Sequence, residues 1–180
     1  MTENQPSVME TQPSLISVAL KYGLLTGLIS IIYTLFSYLT ETFGSIFLNL
    51  FIALAITIIG LVLAMREFRK KNGGFMTYGQ GLGIGMIVAV TASILSGIFI
   101  FLYTSYVDPT ITEKIVDSVM DQMGAFGLDD SQLDEARDKM LADTTPFKQL
   151  TSALTNGLFG GLILSLIIAA IMKRNRPEFE

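Results

Sequence analysis

Four stretches of this chain, residues 15–39, 46–65, 79–103 and 150–172, are almost free of charge, and Lys21 is the one ionisable side chain of the acid or base type inside them. An α-helix rises about 1.5 Å per residue, so about 20 apolar residues suffice to cross roughly 30 Å of hydrocarbon. Each stretch meets that length. In hydrocarbon the backbone must satisfy its own polar groups, which leaves helices or a closed barrel. Barrel strands read as short segments of alternating polarity, and these segments are neither short nor alternating. The fold class expected is therefore all-α, a bundle of four transmembrane helices. With 51% hydrophobic and only 16% charged residues, the chain has fewer charges than a soluble domain, and they are clumped between the apolar stretches.

The placement of those clumps orients the chain. The link from Arg66 to Lys71 carries four basic residues and one acid, and Lys173, Arg174 and Arg176 follow the fourth stretch. The first link has only Glu41, while residues 104–149 hold ten acidic and four basic residues. Basic loops stay in the cytoplasm, so both termini are expected there and the acidic link outside. Tyr22, Tyr38, Tyr78, Tyr103 and Tyr106 fall near the ends of the spans, as an interfacial aromatic belt would. Residues 1–14 read as a disordered cytoplasmic tail and residues 173–180 as a cytoplasmic tail. The acidic start, long apolar run and missing cleavage box do not fit a secretory signal, so the first stretch should remain in the mature protein.

The long acidic link has internal organisation. Asp108-Pro109-Thr110 resembles a helix start, with Thr110 and Glu113 at capping-box spacing. Ile111, Ile115, Val119 and Met123 then mark one face, and Gly124 and Gly127 end it. Asp130 or Ser131 should cap a second helix whose apolar side is Leu133, Ala136, Met140 and Leu141. Residues 108–143 are thus expected to form an acidic helical hairpin lying on the bundle or the headgroups. Thr145-Pro146 starts the fourth membrane helix in the same way.

Small residues recur every four positions in the spans. They are Ala19, Gly23 and Gly27 in the first, and Gly81, Gly85, Ala89, Ser93 and Gly97 in the third. In the fourth they are Ala153, Gly157, Gly161, Ser165 and Ala169, and the second has Ser45, Asn49, Ala53 and Thr57. Helices in lipid associate where small residues let backbones approach, so spans three and four should pack closely, within one chain or between copies. Asn49 and Asn156 are expected to hydrogen-bond across helices, with a polar cavity as the alternative. Tyr22-Gly23 with Gly27 is echoed by Tyr78-Gly79 with Gly83, and Asn49 precedes Met65 as Asn156 precedes Met172. A parallel duplication of a helical hairpin would produce that echo.

The basic segment Glu67-Phe68-Arg69-Lys70-Lys71-Asn72-Gly73-Gly74-Phe75-Met76-Thr77-Tyr78-Gly79-Gln80 carries the sharpest motif in the chain. It resembles the charged loop of the family catalogued as domain of unknown function 4199, and Tyr106-Val107-Asp108-Pro109 is similar to that family as well. The resemblance runs from about Ser14 to Lys173. It implies a four-helix inner-membrane protein of a kind found mostly in Bacteroidetes, and it implies no activity.

Function is constrained mainly by exclusion. The chain has no Cys and no His, no buried carboxylate pair, and no Ser beside a base at membrane depth, so no enzyme, cofactor or metal is expected. The glycines from Gly79 to Gly85 lack the strand and the Lys-Ser/Thr of a phosphate loop. Asp129, Asp130, Asp134 and Glu135 lack the spacing of a calcium loop. No nucleic-acid partner is expected. Membrane lipids, other membrane proteins or further copies of the chain are the expected partners, with Arg66, Arg69, Lys70 and Lys71 as candidate headgroup contacts. A structural, assembly or accessory role is expected first, and a subunit of an oligomeric small-solute transporter or channel second, because no charge lies near the centre of any span.

Overall fold

The computed structural model describes residues 14–176, and its regular elements are helices. They are α1 (Leu15–Leu39), α2 (Ile46–Lys71), α3 (Tyr78–Leu102), α4 (Ile111–Ala125), α5 (Asp130–Asp143) and α6 (Pro146–Met172). A short 3-10 turn (Thr42–Gly44) links α1 to α2, and a π turn (Tyr103–Val107) extends α3. Four helices, α1, α2, α3 with its π extension, and α6, are long and apolar enough to cross a membrane. The side chains they present outward are large and apolar. Phe47 is 73% exposed, Phe51 72% and Ile171 77%, far more than a water-soluble bundle of this size would leave uncovered.

Local chemistry sets the helix ends. The Ser14 hydroxyl accepts from the Ser17 amide, the Thr145 hydroxyl accepts from the Lys148 amide, and Pro146 takes the first turn of α6. At α3, Thr77 and Gln80 form a reciprocal capping box, a role the sequence reading did not give Gln80. α2 runs past Met65 to Lys71, because Arg, Glu and Lys are good helix formers and basic residues suit a helix C-terminus. α6 likewise starts earlier than residue 150.

α3 is central. It packs most extensively against α6 on one side and α1 on the other, and α2 leans across the group. The buried cluster joins Ala19, Leu61, Met65, Phe68, Met76, Ile84 and Ile168, all toward the end that carries the basic residues. Both described chain ends lie at that basic end. Every buried residue of α2 falls between Gly60 and Phe68, so its other half is only partly covered by the bundle.

At the acidic end, α4 lies against the α1–α2 turn, with Ser118 over Gly44. Lys114 reaches Asp108 at 3.5 Å and Glu41 at 4.0 Å. Gln149 Nε2 donates to Thr112 Oγ1 at 3.1 Å, tying α6 to α4. The hairpin expected over residues 108–143 is there, with corrected details. α4 buries Ile111, Val116 and Met120, a face turned from the expected one because Thr112, tied to α6, and Asp117, tied to α5, flank Val116 and Met120. The Thr110 side chain does not cap α4. The Asp108 carboxylate accepts from the Thr110 amide and hydroxyl, at 3.0 and 2.6 Å. α5 is capped by Asp129, boxed with Gln132, and not by Asp130 or Ser131. It has no buried residue and holds to α4 through Arg137–Asp117 at 2.8 Å.

The expected tail over residues 1–14 lies outside the described residues except for its last position. Of the tail expected over residues 173–180, residues 173–176 are described and residues 177–180 lie outside the described residues. Met76 and Arg174 exchange backbone hydrogen bonds of 2.9 and 2.8 Å, bridging the α2–α3 loop to the end of α6.

Candidate functional site

The glycines picked out in the sequence sit where helices touch. α3 and α6 run antiparallel, and each step of four residues up one is matched by a step of four down the other. Gly81 faces Ala169, Gly85 faces Ser165, Ala89 faces Gly161, Ser93 faces Gly157, and Gly97 faces Ala153. Every one of these rungs joins one glycine to one Ala or Ser, so the backbones approach closely. A Cβ built on Gly85, Gly157 or Gly161 would collide with the opposing side chain. α1 runs parallel to α3, with Gly23 against Thr91 and Gly27 against Leu95 and Ala92. α1 meets α2 where Gly60 presses on the buried Thr26. That contact was missed in the sequence, although Gly60 and Ala64 stand at the same four-residue spacing. The seam expected on α2 is not a seam: Asn49 serves the turn, while Ala53 and Thr57 border a cleft.

The two asparagines have different surroundings. Asn49 Oδ1 accepts from Tyr33 Oη at 2.6 Å and from Ser37 Oγ at 3.4 Å. Its Nδ2 donates to the carbonyls of Thr42, Phe43 and Ser45. Asn49 therefore knots the α1–α2 turn and ties it to α1. Asn156 has no such knot. It stands exposed on α6 and borders a cleft of about 370 Å³ among α1, α2, α3 and α6. Thr26, Ser30, Thr57, Ser93 and Ser96 give that cleft hydroxyls, and the flat rungs at Gly157 and Gly161 form its floor. The expected interhelical hydrogen bond of Asn156 is not formed among the described residues, because α2 leans toward the basic end and leaves this level open. The halves of the suggested duplication also differ here. Gly23 is pressed on Thr91, whereas nothing lies within 4 Å of a Cβ at Gly79.

The basic end is assembled from the charged loop. Asn72 ends α2 and its Nδ2 donates to the Phe75 carbonyl at 2.9 Å. Gly73 and Gly74 then take φ of 67° and 88°, a left-handed turn that side chains disfavour. Phe75 lies under the guanidinium groups of Arg174 and Arg176, at 5.9 and 5.7 Å from the ring centre. Met76 is fully buried. Glu67 Oε2 accepts from Lys21 Nζ at 2.8 Å and Tyr22 Oη at 2.7 Å, and its Oε1 meets Lys71 Nζ at 2.7 Å. Lys21 therefore has a definite carboxylate partner on α2. Arg69 donates to the Met172 carbonyl at 3.3 Å, and Arg66, Arg69, Lys70, Lys71 and Arg174 border an open pocket of about 760 Å³.

The residues that build this loop and its bridge to α6 are those of the sharpest sequence motif, and the profile of one family, described as "Protein of unknown function (DUF4199)", matches residues 21–174. The chain belongs to the DUF4199 family. No curated protein and no solved structure matches it. The match covers α1 from Lys21 onward, the charged loop, α2, α3, the hairpin and all of α6.

Proposed function

We propose that the chain is a non-enzymatic accessory or assembly protein of a bacterial inner membrane, with both termini in the cytoplasm. In this reading it takes a membrane-spanning segment of another protein into the cleft between α2 and α6. The observation that carries it is Asn156, an exposed amide within a membrane span, beside hydroxyls and over a floor of glycines. An amide facing hydrocarbon without a partner costs about 1–3 kcal/mol, and a hydrogen-bonding side chain on an incoming helix would relieve that cost. Gly160, which also lines the cleft and whose Cβ would meet nothing within 4 Å, would let such a helix approach closely. The basic residues at one end and acidic residues at the other support the orientation.

The absence of cysteine from the chain makes the test direct. A single Thr57→Cys, cross-linked in native membranes, should capture one membrane protein that also copurifies in fixed stoichiometry. Asn156→Leu should abolish both signals without lowering expression. The competing reading, a small-solute transporter subunit, draws on the same hydroxyls. If the purified chain alone carried a polar solute into liposomes, and Thr57→Cys captured no protein, the assembly reading would be wrong.

A further inference from the structure

The basic pocket does not end at the membrane surface. It shares Tyr22 and Leu63 with a second cavity of about 210 Å³, a groove between α1 and α2 lined by Leu25, Ile29, Ile56 and Ile59. On α2 the two cavities follow one stripe. Ile56, Ile59, Leu63, Arg66 and Lys70 recur at three- and four-residue spacing, apolar first and cationic last. The pocket also holds more positive charge than its own acid can balance. Both oxygens of Glu67 are taken by Lys21, Lys71 and Tyr22, while Arg66, Lys70 and Arg174 have no carboxylate partner among the described residues.

We infer that the chain binds one anionic phospholipid here, with the phosphate-bearing headgroup among Arg66, Lys70 and Arg174 and an acyl chain along the α1–α2 groove. Basic residues in a loop need only set topology, and they could do so scattered over its surface. Here they gather at the mouth of an apolar groove, from two segments far apart in sequence. The Met76–Arg174 bridge holds the tail segment in that place. A soluble phosphate would use the cations and leave the groove idle; a neutral phospholipid would use the groove and leave the cations idle. Only an amphiphile with a negative head uses both. The headgroup pocket lies at the opposite end of α2 from the cleft, and the two share no lining residue, so headgroup binding does not depend on what the cleft holds.

The test uses the full chain in uncharged detergent, titrated with short-chain phosphatidylglycerol, with phosphatidylcholine of the same chain length, and with glycerol 1-phosphate. Binding is read by native mass spectrometry and by the shift in Tm. Phosphatidylglycerol should bind far more tightly than the other two. The combined variant Arg66→Gln, Lys70→Gln, Arg174→Gln should weaken it by about a hundredfold, at about 1 kcal/mol per basic residue near a membrane surface. A second variant, Ile59→Trp, keeps every cation and fills the groove. It should weaken phosphatidylglycerol and leave the weak glycerol 1-phosphate signal unchanged, which guards against a misfolded charge variant. Equal affinity for phosphatidylglycerol and phosphatidylcholine would overturn the inference. So would glycerol 1-phosphate binding as tightly as the intact lipid, or either variant binding phosphatidylglycerol as well as the parent.

Discussion

Gly85 and Ser165 meet with no room for a further carbon, and that contact shows how the α3–α6 pairing works. In lipid there is no hydrophobic gain from bringing helices together, so the attraction comes from close backbone contact over a matched surface. Gly85→Leu or Gly161→Leu should each destabilise the bundle by about 2–3 kcal/mol, as overpacking does, and lower the Tm in detergent. Gly79→Ala is the control. Its Cβ would meet nothing, so stability should stay within about 1 kcal/mol of the parent. Ser165 supplies a second test, because its buried hydroxyl has no hydrogen-bond partner among the described residues. Ser165→Ala should leave the Tm unchanged or raise it, by up to about 1 kcal/mol of stability, since it removes an unsatisfied polar atom and keeps the rung small. The seam glycines were legible in the sequence because small residues at a fixed spacing stand out among bulky apolar ones. Their partners were not. Nothing in the spacing of Gly23 and Gly27 says that Thr91 and Leu95 lie opposite.

The acidic hairpin is stabilised differently from the spans. α5 buries no residue, so its caps and ion pairs carry much of its order. The Asp129 carboxyl is held below the usual aspartate value by the Ser131 hydroxyl and the Gln132 amide, and the Asp143 carboxyl by the Lys148 ammonium. Asp108 is lowered in the same direction, first by the Thr110 hydroxyl. A carboxyl whose folded pKa is depressed stabilises the fold fully above its unfolded value, and loses that contribution as pH falls through the folded value. The hairpin should therefore lose stability progressively as pH falls below about 4. Amide exchange from pH 7 to 3, corrected for intrinsic rates, should show α5 losing protection while α3 and α6 keep theirs. Equal loss in all three would count against a separately stabilised hairpin. That caps existed was readable from the sequence; which residue capped was not. Asp108, Thr110, Asp129, Asp130 and Ser131 all have suitable side chains, and their spacing alone does not say which of them takes the cap.

The bundle as a whole is lopsided. α3 holds α1 and α6 along its length, whereas α2 joins the core only near the basic end. That lean opens the cleft at one level and leaves the α1–α2 groove at another. The antiparallel register of α3 and α6 within one chain can be checked by engineering Gly97→Cys with Ala153→Cys, whose Cβ atoms would stand near disulfide distance. Oxidation should consume both thiols and yield a monomer; a covalent dimer would mean that the seam pairs copies. The four apolar runs, the basic and acidic ends and the small-residue seams could be read from the sequence alone. Each depends on how a single residue or a short helix meets hydrocarbon or water, and that is local. The tertiary structure alone decided which seam meets which, that Glu67 gathers Lys21, Tyr22 and Lys71, that Arg174 is bridged to Met76, and that Asn156 faces an open cleft while Asn49 ties a turn. Apart from the turn at Asn49, those are properties of pairs distant in sequence, set by how the helices pack against one another, and no single run of residues carries that packing by itself.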